Sequence, residues 1–371
     1  MDYRVPREFF SSLIRKPMKT YSVDSEDGLR KALAASGERT IVFSTPNIYI
    51  NSHKDVIVNV GDVIIDGSGA FPVNIHGACL CIEKCKNVTL RNIRVRRGAT
   101  GAKAPKSKKD KTVGESIAIF KADNVLLQHV TASWGTDETV SIRDCRRVSL
   151  DQCLISHPLD EPLDGNGKHI HYEKQPHGYS LLICASEVWI EACVLVHGRR
   201  RSPSVCGDGS RETIVAMRNC IVYNYGEHGT NFNAGASDQN KQPVQYTIQD
   251  NLYIPGKNTE GPELNIEAPR KGYIVQLCIK DNVAQKVWLA KSTNVVPVIE
   301  KKNNAGKIEQ GMQYEIPALN HQQVGMTKLD VLNGAGALPR DGFDAQVIDH
   351  VRCGTGSFID HENEVGYAKP K

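Results

Sequence analysis

Apolar and polar residues alternate along this chain in bursts of three to six, too short for helices, and the bursts repeat. Cys85-Lys86-Asn87-Val88-Thr89-Leu90-Arg91-Asn92-Ile93 shares its pattern with residues 122–130, 145–153 and 185–193, and more weakly with 215–220 and 247–252. The shortest step between copies runs from Val125 to Val148, 23 residues. Ile82, Ile119 and Ile142 mark a second strand six residues before Val88, Val125 and Val148, and Ile183 stands five before Val188. A turn of about 22–25 residues, several short strands per turn and insertions at the corners predict an all-β right-handed parallel β-helix. A single coil cannot bury its apolar face, whereas stacking buries a continuous column and satisfies the backbone. The Leu/Asn spacing of a leucine-rich repeat is missing, and a β-propeller needs a longer period.

The repeat divides one domain over residues 1–371. Residues 1–40 form a cap with a short helix over 26–35, started by Ser25 and ended at Ser36-Gly37. Coils span 41–285. Residues 286–371 lose the repeat and are expected to lie along the solenoid or to cover one end, since open coil edges invite aggregation.

Ile93, Val130, Cys153, Cys193, Cys220 and Leu252 fall in one column of the pattern, and Cys85, Ala122, Cys145 and Ala185 in another. Both columns are expected to point inward, with cysteine packing as a small hydrophobe. Unpaired thiols and a reducing compartment follow from this reading. Cys79, Cys81 and Cys85 lack the downstream pair that a zinc site needs.

Net charge changes little. At +4 over 371 residues the chain is no general polyanion binder, so no nucleic-acid partner is expected. It lacks an apolar run of about 18 residues, so no membrane span is expected. The first residues do not read as a secretory signal, which suggests an intracellular or virion-borne chain, or a secreted one whose signal was removed. Two insertions stand out. Residues 94–111 carry Arg94, Arg96, Arg97, Lys103, Lys106, Lys108, Lys109 and Lys111, and read as a mobile basic loop, solvated or touching substrate. Residues 157–177 carry Asp160, Glu161, Asp164, Lys168, His169, His171, Glu173 and Lys174, with the length and polarity of a substrate-contacting loop.

The densest chemistry lies in Ser133-Trp134-Gly135-Thr136-Asp137-Glu138 and in His197-Gly198-Arg199-Arg200-Arg201-Ser202-Pro203. Residues 130–141 resemble the central motif of the pectate lyase family of polysaccharide lyases. His177-Gly178-Tyr179-Ser180 resembles its next strand, residues 197–203 its Arg-x-Pro motif, and residues 219–226 the strand after that. Gly334-Ala335-Gly336-Ala337-Leu338-Pro339-Arg340-Asp341 and residues 351–356 resemble its C-terminal strap. The ordered matches run from about residue 40 to 366.

The resemblance implies β-elimination of an acidic, uronic-acid-containing polysaccharide, most simply pectate. A base removes the C5 proton beside the carboxylate, and the C4–O bond to the leaving sugar breaks. By position the base is Arg201, two residues before Pro203, with its charged form disfavoured by Arg199 and Arg200. His177 and Tyr179 are the other catalytic candidates, and Tyr179 stands where the family has a lysine. Arg199, Arg200, Trp134, Lys168 and His197 are candidates for substrate binding, although Trp134 sits in a repeat strand where core is the plainer reading. In the family calcium bridges enzyme and substrate carboxylates. Its ligand positions map to Val113, Glu115, Asp137 and Ser141, leaving Glu115, Asp137 and the adjacent Glu138 as a candidate calcium site. Asp137 and Glu138 face the same way only if the strand ends or bulges there. A family arginine after the proline is missing near residues 204–206. These departures keep a second reading open, a β-helix glycan-binding or virion-associated module without turnover. A hydrolase would need two acidic residues facing one groove.

Overall fold

The computed structural model describes residues 19–100, 102–107, 113–164, 166–206, 212–233, 244–269, 271–286, 288, 291–299, 307–310 and 326–366. Each turn of the chain lays down three short strands, for example Ile117–Phe120, Asp123–Gln128 and Thr131–Ser133. Each strand pairs in parallel with its counterpart one turn away, giving the right-handed β-helix that the repeat predicts. In the two turns that follow, the first two strands run together as Glu138–Asp151 and Tyr179–Glu191. Backbone register places Val63, Val88, Val125, Val148, Val188 and Val215 in one buried column, as the sequence pattern requires. Parallel pairing continues past residue 285, with Val298–Ile299 and Lys307–Gln310 stacked on earlier coils.

One corner of the coil is made largely by left-handed residues other than glycine. Asn92, His129, Gln152, Ala192 and Asn219 all turn one corner with φ between 50 and 55°, a region rare for non-glycine residues. Immediately inside that corner run Cys153, Cys193 and Cys220, each buried and unpaired. The Cys153 N–H donates to Cys193 Sγ, and the Cys193 N–H to Cys220 Sγ. Asn251, not Leu252, continues the column: the Cys220 N–H donates to Asn251 Oδ1 at 2.9 Å, and the Asn251 N–H to Asn282 Oδ1. Leu252 pairs with Ile221 one position on and packs in the cluster beneath the strap. One cystine, Cys184–Cys206, joins two adjacent coils, against the expectation of unpaired thiols throughout; the other nine cysteines are free.

Helix α1 (Glu26–Ala34) is capped by Ser25, whose hydroxyl accepts from the Gly28 N–H. It lies between the first two parallel strands, Lys19–Val23 and Arg39–Phe43. The strap lies along the side of the solenoid through helices α2 (Lys328–Gly334) and α3 (Gly342–Cys353). Val331, Leu332, Phe343, Val347, Ile348 and Val351 form a second core with the outward residues Leu154, Val194, Val196, Ile221 and Tyr223.

Charge fixes the strap's position. Arg94 and Arg96 do not belong to a mobile loop: they sit in the strand Ile93–Arg96 and are fully buried. Arg94 Nε donates to Asp344 at 2.8 Å, and Arg96 donates to Asp344 at 2.7 Å and to Asp341 at 2.6 Å. Burial pushes the Asp341 carboxyl up, but the Arg96 bonds and charge outweigh it and hold the group at about 2. Arg97 reaches Asp55. Lys108, Lys109 and Lys111 lie outside the described residues. No helix among the described residues is long and apolar enough to cross a membrane.

Replacing Asp344 by Asn leaves two buried guanidinium groups short of a counter-charge. D344N should lose on the order of 3–5 kcal/mol in denaturant unfolding, and limited proteolysis should then cut within residues 326–366 first.

Candidate active site

Three consecutive coils bring the central motif and the arginine cluster together. Glu138 opens one strand, so Asp137 falls just before it and the two need not face opposite ways. Glu138 pairs in register with Tyr179, and Tyr179 bridges to Arg200 on the following coil. Arg201, left-handed at φ 63°, lays its guanidinium over the Tyr179 ring at 4.1 Å and donates from Nη1 to Glu138 Oε1. Arg143, on the same strand as Glu138, approaches its other oxygen at 3.4 Å and Glu115 at 4.0 Å.

Glu138 is almost wholly buried at its side chain, whereas Arg201 remains about a third open. Burial, then the charge of Asp137, raises the Glu138 carboxyl from 4.5 to about 7, and Arg201 and Arg143 oppose the rise. Glu138 therefore changes charge near neutral pH beside an exposed arginine and a tyrosine.

The arginine run is not a crowd of unrelieved charge. Arg199 is held by both oxygens of Asp160 at 2.5 Å, and this bond raises its pKa further. Arg200 pairs with Glu227 and Arg201 with Glu138. Like-charge repulsion therefore does not carry the activation of Arg201 that the sequence suggests. Arg199 serves chiefly to anchor the loop, since Asp160 also accepts the His177 N–H through its carbonyl at 2.7 Å.

His177 stands at the mouth of the cluster. Its ring lies 4.8 Å from that of Tyr179 and 3.9 Å, Nε2 to Oδ1, from Asp137. Nδ1 donates to the Gln175 carbonyl, and the ring stacks on His171 at 3.5 Å. His171, pinned to the Thr136 carbonyl, is lowered to about 4 by burial and then by His177, so it is a neutral platform.

Three expected substrate contacts are displaced. Trp134 is buried, 5.0 Å from the Phe343 ring of the strap, and the Arg96 guanidinium lies over both rings, 5.2 Å from Trp134 and 5.0 Å from Phe343. His197 is buried beneath the surface against His157, His350 and Asn224. Lys168 is exposed on a turn closed by Asp164, which accepts its backbone N–H at 2.9 Å. Arg143, His171 and Asp160 went unassigned in the sequence. Arg143 was legible as the outward neighbour of inward Ile142, whereas the roles of His171 and Asp160 depend on loop packing that no spacing shows.

The acidic residues fit calcium only in part. Asp137 is a third open, and Glu115 is partly open while accepting from Ser141 at 2.8 Å. Glu138 is occupied by its two arginines. Among the described residues no three carboxylates gather ligand atoms within 4.8 Å of one another. Since Ca²⁺ takes about 6–8 oxygens, Asp137 and Glu115 suit a weak ion completed by water and a substrate carboxylate, and not a tight resident one.

No family model matches the chain. It is 22% identical over 322 residues to a probable pectate lyase C of Aspergillus fumigatus, covering 80% of this chain and 70% of that one. A probable pectate lyase C of Aspergillus terreus is 23% identical over 350 residues, covering 92% and 74%. Among solved structures, a pectate lyase of Bacillus sp. N165, determined in complex with trigalacturonate, superposes with a TM-score of 0.54 at 11% identity, covering 86% of this chain and 93% of that one. The sequence relatives are thus probable pectate lyases, and the solved structure shares the β-helix fold of this chain.

The Glu138 environment can be tested without substrate. Its carboxyl should titrate near 7 in ¹³C NMR, and R201A should raise that value further because a charge that lowers it is gone. Since the folded pKa lies above 4.5, ionising Glu138 costs folded stability as pH rises from 4.5 to about 7.

Proposed function

We infer that the chain is a lyase of the pectate lyase family, cleaving polygalacturonate or a close uronan by β-elimination. The observation that carries this reading is the contact of Arg201 with both Tyr179 and Glu138 at an open surface of three coils. The agreement of sequence relatives and fold supports it over a module that only binds glycan.

The chemistry follows from the charges. The C5 hydrogen of a uronate is weakly acidic because the adjacent carboxylate is already negative. Arg200, 42% exposed at its side chain, meets that carboxylate. Arg201 takes the C5 proton. An arginine pKa above about 12 opposes a free guanidine, and Glu138, with its pKa raised to about 7, accepts the guanidinium's proton more readily than an ordinary carboxylate. The C5 electron pair forms the C4=C5 double bond as the C4–O bond breaks. Tyr179 protonates the leaving oxygen and regains its proton from the Arg201–Glu138 pair, whose guanidinium lies on its ring. His177, its ring 4.8 Å from that of Tyr179, orients the sugar. Asp137 and Glu115 would hold a calcium ion whose chemistry is to neutralise the substrate carboxylate. A polymeric substrate is met outside the producing cell, and the cystine between two coils suits that place.

Incubation with polygalacturonate should raise the ultraviolet absorbance of a conjugated 4,5-unsaturated uronate, which hydrolysis does not form. R201A should lose at least about a hundredfold in kcat while retaining affinity for the glycan. Equal binding and no product in both proteins would support the binding module instead. Because Glu138 must be ionised to accept a proton, kcat/KM should climb roughly tenfold per pH unit up to about 7. Chelator should lower the rate and calcium restore it; indifference to chelator would assign charge neutralisation to Arg200.

A further inference from the structure

We propose that His157, His197 and His350 form a transition-metal site of the zinc class that fastens the strap to the coils. The site is separate from the surface where glycan would bind, and the argument does not depend on the lyase reading.

His157 and His197 occupy the same corner of adjacent coils. Each follows a strand of the outer sheet, Leu154–Ser156 and Val194–Val196, and each is left-handed, with φ 45° and 59°. Register between Ser156 and Val196 sets one ring above the other, 4.4 Å apart. His350 enters from the last turn of α3, and its Nδ1 lies 3.1 Å from His197 Nε2. One ring nitrogen from each histidine falls within 4.8 Å of the other two, and among the described residues this is the only trio of histidine, cysteine or acidic side chains to do so.

One further observation points to a ligand. His157 is wholly buried, and neither of its ring nitrogens has a hydrogen-bond partner. A buried polar atom left unmade is costly, and a metal is one way to satisfy it. Gly356, at φ +80°, faces the other two histidines. A β-carbon there would lie 2.4 Å from His350 Nδ1 and 2.6 Å from His197 Nε2. Any side chain is thus excluded there, and the bare Gly356 backbone is what lets the loop pack against both nitrogens. A tetrahedral zinc ion with bonds of about 2.0–2.1 Å to imidazole holds its nitrogens about 3.3 Å apart, close to the 3.1 Å already found between two of them.

The donor set selects the ion. Three imidazoles without a carboxylate or thiolate suit zinc, cobalt, nickel or copper and not calcium or magnesium. Burial keeps His157 and His197 uncharged, the form that ligates. A fourth position would be left to water. Binding has a local cost. Without metal, His197 Nδ1 accepts from Asn224 at 2.6 Å, so Nε2 carries the proton and donates it to His350. Metal replaces that proton, and the Asn224 amide must turn over to accept from Nδ1–H, giving up the bond its oxygen receives from the Asn258 N–H at 2.7 Å.

The test is cobalt uptake by the full chain after chelator stripping. One equivalent of Co²⁺ should give the visible absorption of a tetrahedral nitrogen site, and zinc should bleach it. Zinc should also raise the melting temperature of the stripped protein. H350Q removes the strap's ligand at a half-buried position. H157F replaces a buried ring by an apolar one of similar shape, so it should fold at least as well as the stripped parent. Both should bind cobalt at least about a hundredfold more weakly and lose the zinc-dependent rise in melting temperature. No visible band in the parent, or a band of parental affinity retained in either variant, would overturn the proposal.

Discussion

Each coil of this chain can bury its inward side chains only by pairing its backbone, in register, with the coil before and the coil after. That one constraint sorts every residue into a column. Valine stacks on valine from Val63 to Val215, and a corner residue stacks on a corner residue with the same left-handed backbone. The cysteine column is stable because a thiol is small, apolar enough to be buried and still able to accept an N–H from the neighbouring coil. Where the column passes to Asn251 and Asn282, side-chain amides take over the same hydrogen-bonding work with stronger bonds. The candidate active site obeys the same rule: Glu138, Tyr179 and Arg200 are neighbours because they share a row, and Arg201 reaches back across that row.

Electrostatics then distinguishes arginines that look alike in the sequence. Arg94 and Arg96 are buried and committed to carboxylates of the strap, Arg199 is committed to Asp160, and Arg143, Arg200 and Arg201 keep more exposure beside their partners. A deep carboxylate with a shallow guanidinium is the asymmetry that makes the Arg201–Glu138 pair chemically useful. Burial penalises the charge on Glu138 while Arg201 remains in reach of a polymer lying on the surface.

The fold was legible because its signal is periodic. The steps from Val88 to Val125, Val148 and Val188 survive insertions of any length, since an insertion at a corner does not disturb the column. The sequence places the last repeat one residue late, at Leu252, because Asn251 carries no apolar signal although it continues the column. The arrangement of Arg201, Tyr179, His177, Asp137 and Glu138 was legible in its membership but not its pairings. Whether a charged residue faces solvent or the strap depends on residues far along the chain, as for Arg94 and Asp344, which are 250 positions apart. Trp134 and His197 were drawn toward the substrate by their motifs, yet both lie under α3, a covering that nothing in their own strands announces.

The Arg94–Asp344 and Arg96–Asp341 bonds join residues about 245 positions apart. During synthesis from the N-terminus, the coils carrying both arginines are complete long before their carboxylates leave the ribosome. Throughout that interval the outer sheet exposes two basic side chains and the apolar residues Leu154, Val194 and Ile221 that α2 and α3 later cover. Such surface is prone to aggregation while it waits, so the nascent chain's period of greatest exposure ends only once residues 326–366 have been translated.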